Sequence, residues 1–337
     1  MKFGIFDHMD LGETETLSEF FENRLRLAEL YDEIGIHAYH IAEHHGTPLG
    51  MSPSPNVFLS ALAQRTKRLR FGPLVYCLPL YHPIRLLEEI CMLDQMSGGR
   101  LELGFGRGAS PLEIDIFGPN PKDAQNIYQE SLEIILMALK DHHVNYQGKF
   151  YSLNDVPVAL TPKQLPHPPM WYGIHAVESA ARAGTDDLNV ISLDTAVDTG
   201  PMVAAYKDAR REAGHQGPFE PKIGIGRFVV VGETDEEALA VARRAYRVWH
   251  KSFNYLFNHR GAAGPKHQRP SEFDAMAALG RAVAGSPETV INVLRKEMMV
   301  SDANYLVGQF VFGDMSSSEA ESSVGMFIDS VLPVLDA

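Results

Sequence analysis

The sequence predicts an α/β protein, most specifically a (β/α)8 barrel, and three observations lead there. Short apolar, β-rich runs alternate with amphipathic helical stretches. A helical stretch follows nearly every run, an order that implies parallel strands joined by right-handed crossovers. Eight such units can be counted, which suggests a closed barrel, where six would suggest a doubly wound sheet. A chain of 337 residues accommodates such a barrel as one domain, 1–337.

The eight runs are residues 2–6, 38–42, 70–76, 101–105, 170–173, 189–193, 222–231 and 304–312. After the first, Leu17, Phe21, Leu25, Ala28 and Tyr31 keep a helical period to about Ile34. Thr16 and Glu19 form a capping box at its start, and Gly35 stops it. A second helix is expected near 55–66. A third opens on Pro83 and ends near Gly98-Gly99. The gap 106–169 holds a helix around Tyr128, Leu132, Ile135 and Leu139, then VNYQGKFYSL, which reads as an inserted hairpin turning at Gly148. No clean helix is expected between Pro111 and about Lys122. Residues 247–285 are rich in Gly, Pro and His and are expected to form a long lid over the barrel mouth.

Composition narrows the function. Thirty Lys and Arg against 43 Asp and Glu give a net charge of −13, which opposes general binding to nucleic acid or anionic lipid. The spacing of the two cysteines, Cys77 and Cys91, fits neither a zinc motif nor a disulfide framework. No apolar run approaches a membrane span, and the start MKFGIFDHMDLGE turns acidic too soon for a signal peptide. A cytoplasmic enzyme acting on a small molecule is the expectation.

In a barrel the chemistry sits at the C-terminal ends of the strands, so the residues just after each run carry the weight. AEHHG (42–46) places His44, His45 and Glu43 at one strand end. Metal binding with His40, an acid/base histidine, and a pair of structural histidines are the readings; no dense carboxylate set supports the metal, and none is expected. GFGRGA (104–109) fits a dinucleotide fingerprint, but SPLEIDIFGPNP follows instead of a helix. The alternatives are a close backbone approach to a ligand with Arg107 forking onto a phosphate, or a turn with Arg107 in a structural ion pair. In YGIHAVESAARAG (172–184) the backbone N–H groups of Ala176 and Val177 would open a helix, a ready anion site or an ordinary loop.

Together KFGIF, EHH (43–45), LPLYHPIRLLEEICMLDQMSGGRLELGFGRG (78–108), ESAARAG (178–184) and GSPETVINVLR (285–295) make the chain resemble the bacterial luciferase-like, flavin-dependent monooxygenases, of the alkanal monooxygenase α-subunit type. The resemblance implies a barrel that binds reduced FMN, supplied by a separate flavin reductase, with O2 captured as a flavin peroxide that oxidises a small organic substrate. His44 matches the catalytic histidine and Arg107 the flavin-phosphate arginine. Gly173, Ala176 and Val177 fall on the phosphate loop. Leu74–Val75 matches a non-prolyl cis peptide under the flavin ring, and Glu113 an acidic residue beside it. Gly106 stands where light-emitting members have a reactive cysteine, and Ala176 where they have a hydroxyl, so light emission is not expected. Phe6, Phe105, Trp249 and Phe310 are candidate pocket walls. A dimer, expected to be a homodimer, would pack through residues near 54–66 and 83–97. The alternatives are a deazaflavin-dependent oxidoreductase and a non-catalytic flavin-binding protein on the same fold.

Overall fold

The computed structural model describes residues 2–12, 15–141, 143–215, 220–265 and 268–336. β1 (Lys2–Asp7) leads into α1 (Leu17–Glu33), where Thr16 and Glu19 make the expected reciprocal cap and Gly35 turns the chain at φ +83°. β2 (Ala38–Ile41), α2 (Pro55–Arg65) and the broken strand β3 (Arg70–Pro73) plus β4 (Tyr76–Cys77) follow, then α3 (Pro83–Met96) and β5 (Leu103–Gly106). A short α4 (Pro111–Ile116) and the longer α5 (Ala124–Asp141) precede the antiparallel hairpin β6 (His143–Gln147) and β7 (Ser152–Pro157). The second half runs β8 (Met170–Gly173), α6 (Val177–Thr185), β9 (Asn189–Ser192), α7 (Ala196–Glu212), β10 (Ile223–Val231) and α8 (Asp235–His259). It closes with α9 (Phe273–Ala278), β11 (Ala282–Gly285), α10 (Pro287–Ser301), β12 (Tyr305–Gln309), α11 (Ser317–Met326) and α12 (Leu332–Asp336).

The sheet order is β3-β2-β1-β12-β10-β9-β8-β5-β4, with every pair parallel. A bridge between Phe71 and Leu101 joins β3 to the strand that continues as β5, so the ring closes. β3 and β4 are halves of one stave, split at Leu74–Val75, whose peptide bond is cis as the resemblance implies. Among the described residues the eight staves are the eight runs read from the sequence. β11 was not anticipated. It pairs only with the far half of β10, Phe228↔Ala282 to Val231↔Gly285.

Two local expectations change. Ser110 caps a helix at Pro111, accepting from Glu113 N, where none was expected. The segment 247–285 is largely regular: 247–259 continue α8, and α9 and β11 take up part of the rest. Lys266 and His267 of that segment lie outside the described residues.

Apolar side chains fill the space between the staves and the helices, while Phe6, Ala42, Trp171, Ile191, Tyr305 and Val307 fill the barrel interior. The floor is polar. Glu102 is fully buried and accepts from Arg70 Nε at 2.6 Å and Trp171 Nε1 at 2.5 Å, with Lys222 Nζ at 3.9 Å. Burial works against its charge, but Lys222, His40 and Arg70 outweigh burial and hold its carboxyl down at about 2. The ionised pairing therefore stabilises fully above about pH 4.5 and is lost as pH falls through 2. Glu102→Gln, which strands Lys222 and Arg70, should cost about 3 kcal/mol near neutral pH. In denaturant titrations the gap between variant and wild type should narrow from pH 4.5 toward 2.

Candidate active site

The staves end together at one mouth, and their last residues build the site. His44 follows β2. Its Nδ1–H donates to Glu113 Oε1 at 3.2 Å, and Glu113 Oε2 accepts from His45 N at 3.0 Å. Glu113 stands in the first turn of α4, so this short helix supplies the carboxylate that orients His44. Among the described residues no hydrogen bond takes up His44 Nε2, so with Nδ1–H given to Glu113 its Nε2 lone pair is uncommitted. The three histidines weighed for a metal do not converge. His45 Nε2 pairs with buried Glu43 at 2.9 Å, and Glu43 also accepts from Cys77 N. His40 turns into the barrel toward Tyr305 and Trp171. Among the described residues no group of three His, Cys, Asp or Glu is placed to hold a metal ion.

His8 follows β1 and lies over Phe6, with its ring 5.9 Å from His44 and nearly parallel to it. Trp249 of α8 donates its indole N–H to His8 Nδ1 at 3.4 Å. Burial, then the neighbouring His44, push the His8 imidazole down to about 3. It is neutral at working pH and carries its proton on Nε2. The second half of α8 thus covers the mouth, and Thr47 Oγ1 bonds to Ser252 O at 3.0 Å to tie it to the loop after β2. Of the four candidate walls, Phe6 and Trp249 stand here. Phe105 and Phe310 belong to the outer core, Phe310 against Phe3 and Phe327.

On the β5 side, Gly104 and Gly106 let the strand lie against the cis Leu74–Val75 segment. A Cβ on Gly106 would sit 2.4 Å from Val75 Cγ2, and one on Gly104 2.4 Å from Pro73 O. Arg107 comes next, exposed, and among the described residues its guanidinium has no ion pair. After β8, Gly173 has open space where a Cβ would be. Ala176 is the N-cap of α6. Its N–H donates to Ser179 Oγ at 3.3 Å, so Val177 and Glu178 offer the uncommitted first-turn donors. His8, just after the first run, is among the strand ends at which the sequence places the chemistry; Ser179 and the arginines discussed below were not singled out, since only the tertiary fold brings them to the mouth. A separate groove of about 640 Å³, lined by Phe105, Tyr128, Leu136, Leu165 and Tyr172, lies on the outer wall between α5 and α6.

Comparison with known proteins places the chain in a family. The family model for luciferase-like monooxygenases matches residues 1–300. The chain is 40% identical to the uncharacterised protein y4wF of Sinorhizobium fredii, over 94% of this chain and 92% of that one. It is 25% identical to the oxygenase component of the flavin-dependent trigonelline monooxygenase of Acinetobacter baylyi, over 99% and 95%. The crystal structure of monooxygenase RslO1 from Streptomyces bottropensis superposes with a TM-score of 0.89 at 26% identity, over 99% of each chain. The chain belongs to the luciferase-like monooxygenase family, and with it to the flavin-dependent enzymes that incorporate oxygen. Among the described residues no helix is long and apolar enough to cross a membrane.

Two outcomes follow for the site. The unfolded chain protonates His8 below about pH 6.5 and the folded chain only near 3, so this residue lowers stability as pH falls through that window. His8→Gln should remove up to about 1.4 kcal/mol per pH unit of that slope, read by denaturant unfolding at several pH values. Gly106→Val should push Val75 aside and cost about 1–3 kcal/mol, visible as a lowered unfolding midpoint.

Proposed function

We propose that the chain is the oxygenase component of a two-component FMN monooxygenase, which receives reduced FMN from a separate flavin reductase and uses O2 to oxidise a small organic substrate. The observation that carries this reading is the exposed Arg107, which among the described residues has no ion pair and follows β5, the stave next to the one that leads into α6, at the same mouth where Glu113 orients His44. An arginine fork and free backbone donors suit a terminal phosphate. Gly173 has open space where a Cβ would be, and Gly106 lets the strand close onto Val75, which with Leu74 would lie under a flat ring system.

On this reading Arg107 and the N–H groups of Val177 and Glu178, in the loop that Gly173 and Ala176 shape, hold the phosphate, and Leu74, Val75 and Gly106 hold the ring. Reduced FMN, when bound, supplies the electrons that activate O2 for transfer of one oxygen atom. His44 gives or takes a proton at Nε2, with Nδ1 fixed by Glu113. Trp249 and the rest of α8 keep water from the mouth. The whole chain acts as one barrel domain in the cytoplasm. The exposed Val57 of α2 and Met92 and Met96 of α3 favour a homodimer through these two helices.

The test is an anaerobic titration with reduced FMN followed by an oxygen pulse. Bound flavin should reoxidise at least about tenfold more slowly than free flavin, and His44→Ala should speed this up, a difference of about 1.4 kcal/mol or more in barrier. Arg107→Gln should weaken FMN about tenfold and leave riboflavin unchanged. Failure to bind FMN would move the assignment to a deazaflavin-dependent oxidoreductase. Tight binding with immediate reoxidation across a broad substrate panel would favour a non-catalytic flavin-binding protein.

A further inference from the structure

A cluster of arginines at the mouth is short of one negative charge. Asp194, in the turn after β9, has both oxygens engaged: Oδ1 accepts from Arg281 at 3.1 Å and Oδ2 from His175 Nδ1 at 3.0 Å. Glu297 of α10 is taken by buried Arg227 at 2.9 Å. Two carboxylates thus face three guanidinium groups, because Arg269 belongs to the same cluster. Asp194 attracts it, Arg281 and Arg227 repel it, and its charge is felt at His8. Among the described residues the Arg269 guanidinium has no hydrogen bond or ion pair. Among the described residues the buried Nε atoms of Arg227 and Arg281 have no hydrogen-bond partner.

Arg269 is nevertheless held in place. Its carbonyl is bonded by His250 Nε2 at 3.1 Å, and the next carbonyl, of Pro270, accepts from Tyr246 OH at 2.8 Å. Both partners stand on α8, the helix that carries Trp249 over His8. A half-buried guanidinium, fixed by its backbone and set among like charges, is satisfied by an incoming oxyanion. Its planar fork matches a carboxylate in two parallel hydrogen bonds.

We propose that Arg269, held on α8 through its own carbonyl and that of Pro270, is an anion subsite that takes the carboxylate of an acidic substrate. The subsite is distinct from Arg107, which follows β5, two staves from the Asp194 turn. The inference rests on the reading of this mouth as the cofactor and substrate site, and it narrows the substrate to a small organic acid.

Calorimetric titration of the full chain with benzoate and its uncharged analogue benzamide, with and without reduced FMN under anaerobic conditions, tests it. Benzoate should bind at least tenfold tighter than benzamide. Arg269→Gln should abolish that preference, Arg269→Lys should keep part of it, and Arg107→Gln should leave it intact. Thermal unfolding of each variant checks that the fold is retained, and Arg281→Gln should weaken the preference by a second route. Equal binding of the two probes, binding of neither, or a preference that survives Arg269→Gln would overturn the proposal. So would a tenfold loss of FMN affinity in Arg269→Gln with riboflavin unaffected, since the anion would then be the flavin phosphate. If FMN fails to bind at all while benzoate is still preferred, the cofactor reading falls and the anion subsite stands.

Discussion

Glu102 is a carboxylate with no access to water, kept charged by Lys222, His40 and Arg70, and side chains from distant parts of the ring converge on it. Arg70 comes from β3, Trp171 from β8 and Lys222 from the entry to β10. Strand side chains alternate, so a slip of one residue in any of these staves would turn its partner outward and leave the charge bare. Hydrophobic burial makes the barrel favourable, but it tolerates many registers. The buried charge favours one register and with it one height for every strand end.

The mouth inherits that height. His8, His44, Gly106, Arg107, Gly173 and Asp194 come from five strands, yet each lies just beyond its stave or on its last residue. What the floor cannot supply comes from insertions between staves. The short α4 brings Glu113 to His44, and the long α8 brings Trp249 to His8 and anchors the backbone of Arg269. The rigid ring sets positions, and two connecting helices set chemistry.

The ring was legible because each stave is a compact apolar run followed by a helix with its own signals, such as Thr16, Gly35 and Pro83. β11, with the sequence AVAG, carries only small residues and no alternation, so nothing local marks it as a strand; β10 alone pairs with it. α4 did have a signal, Ser110-Pro111 with Glu113 three residues after the cap, but the surrounding glycine and prolines hid it. The segment after Arg247 reads as a loop only if α8 is cut short; its helical period runs on to His259. For the site, the resemblance named His44, Arg107 and Glu113 as separate positions. That His44 and Glu113 bond across 69 residues, or that Trp249 reaches His8 across 241, is a property of closure and has no local trace.

The chain has two tryptophans, and the fold has put one at each end of the barrel. Trp171 gives its indole proton to the charged floor, and Trp249 gives its own to a neutral imidazole at the mouth. Their ultraviolet emission therefore comes from two different electrostatic settings. Trp171 is a native optical gauge of whether the ring is intact. Trp249, next to His8, is a gauge of what enters the mouth, with no label added to the protein.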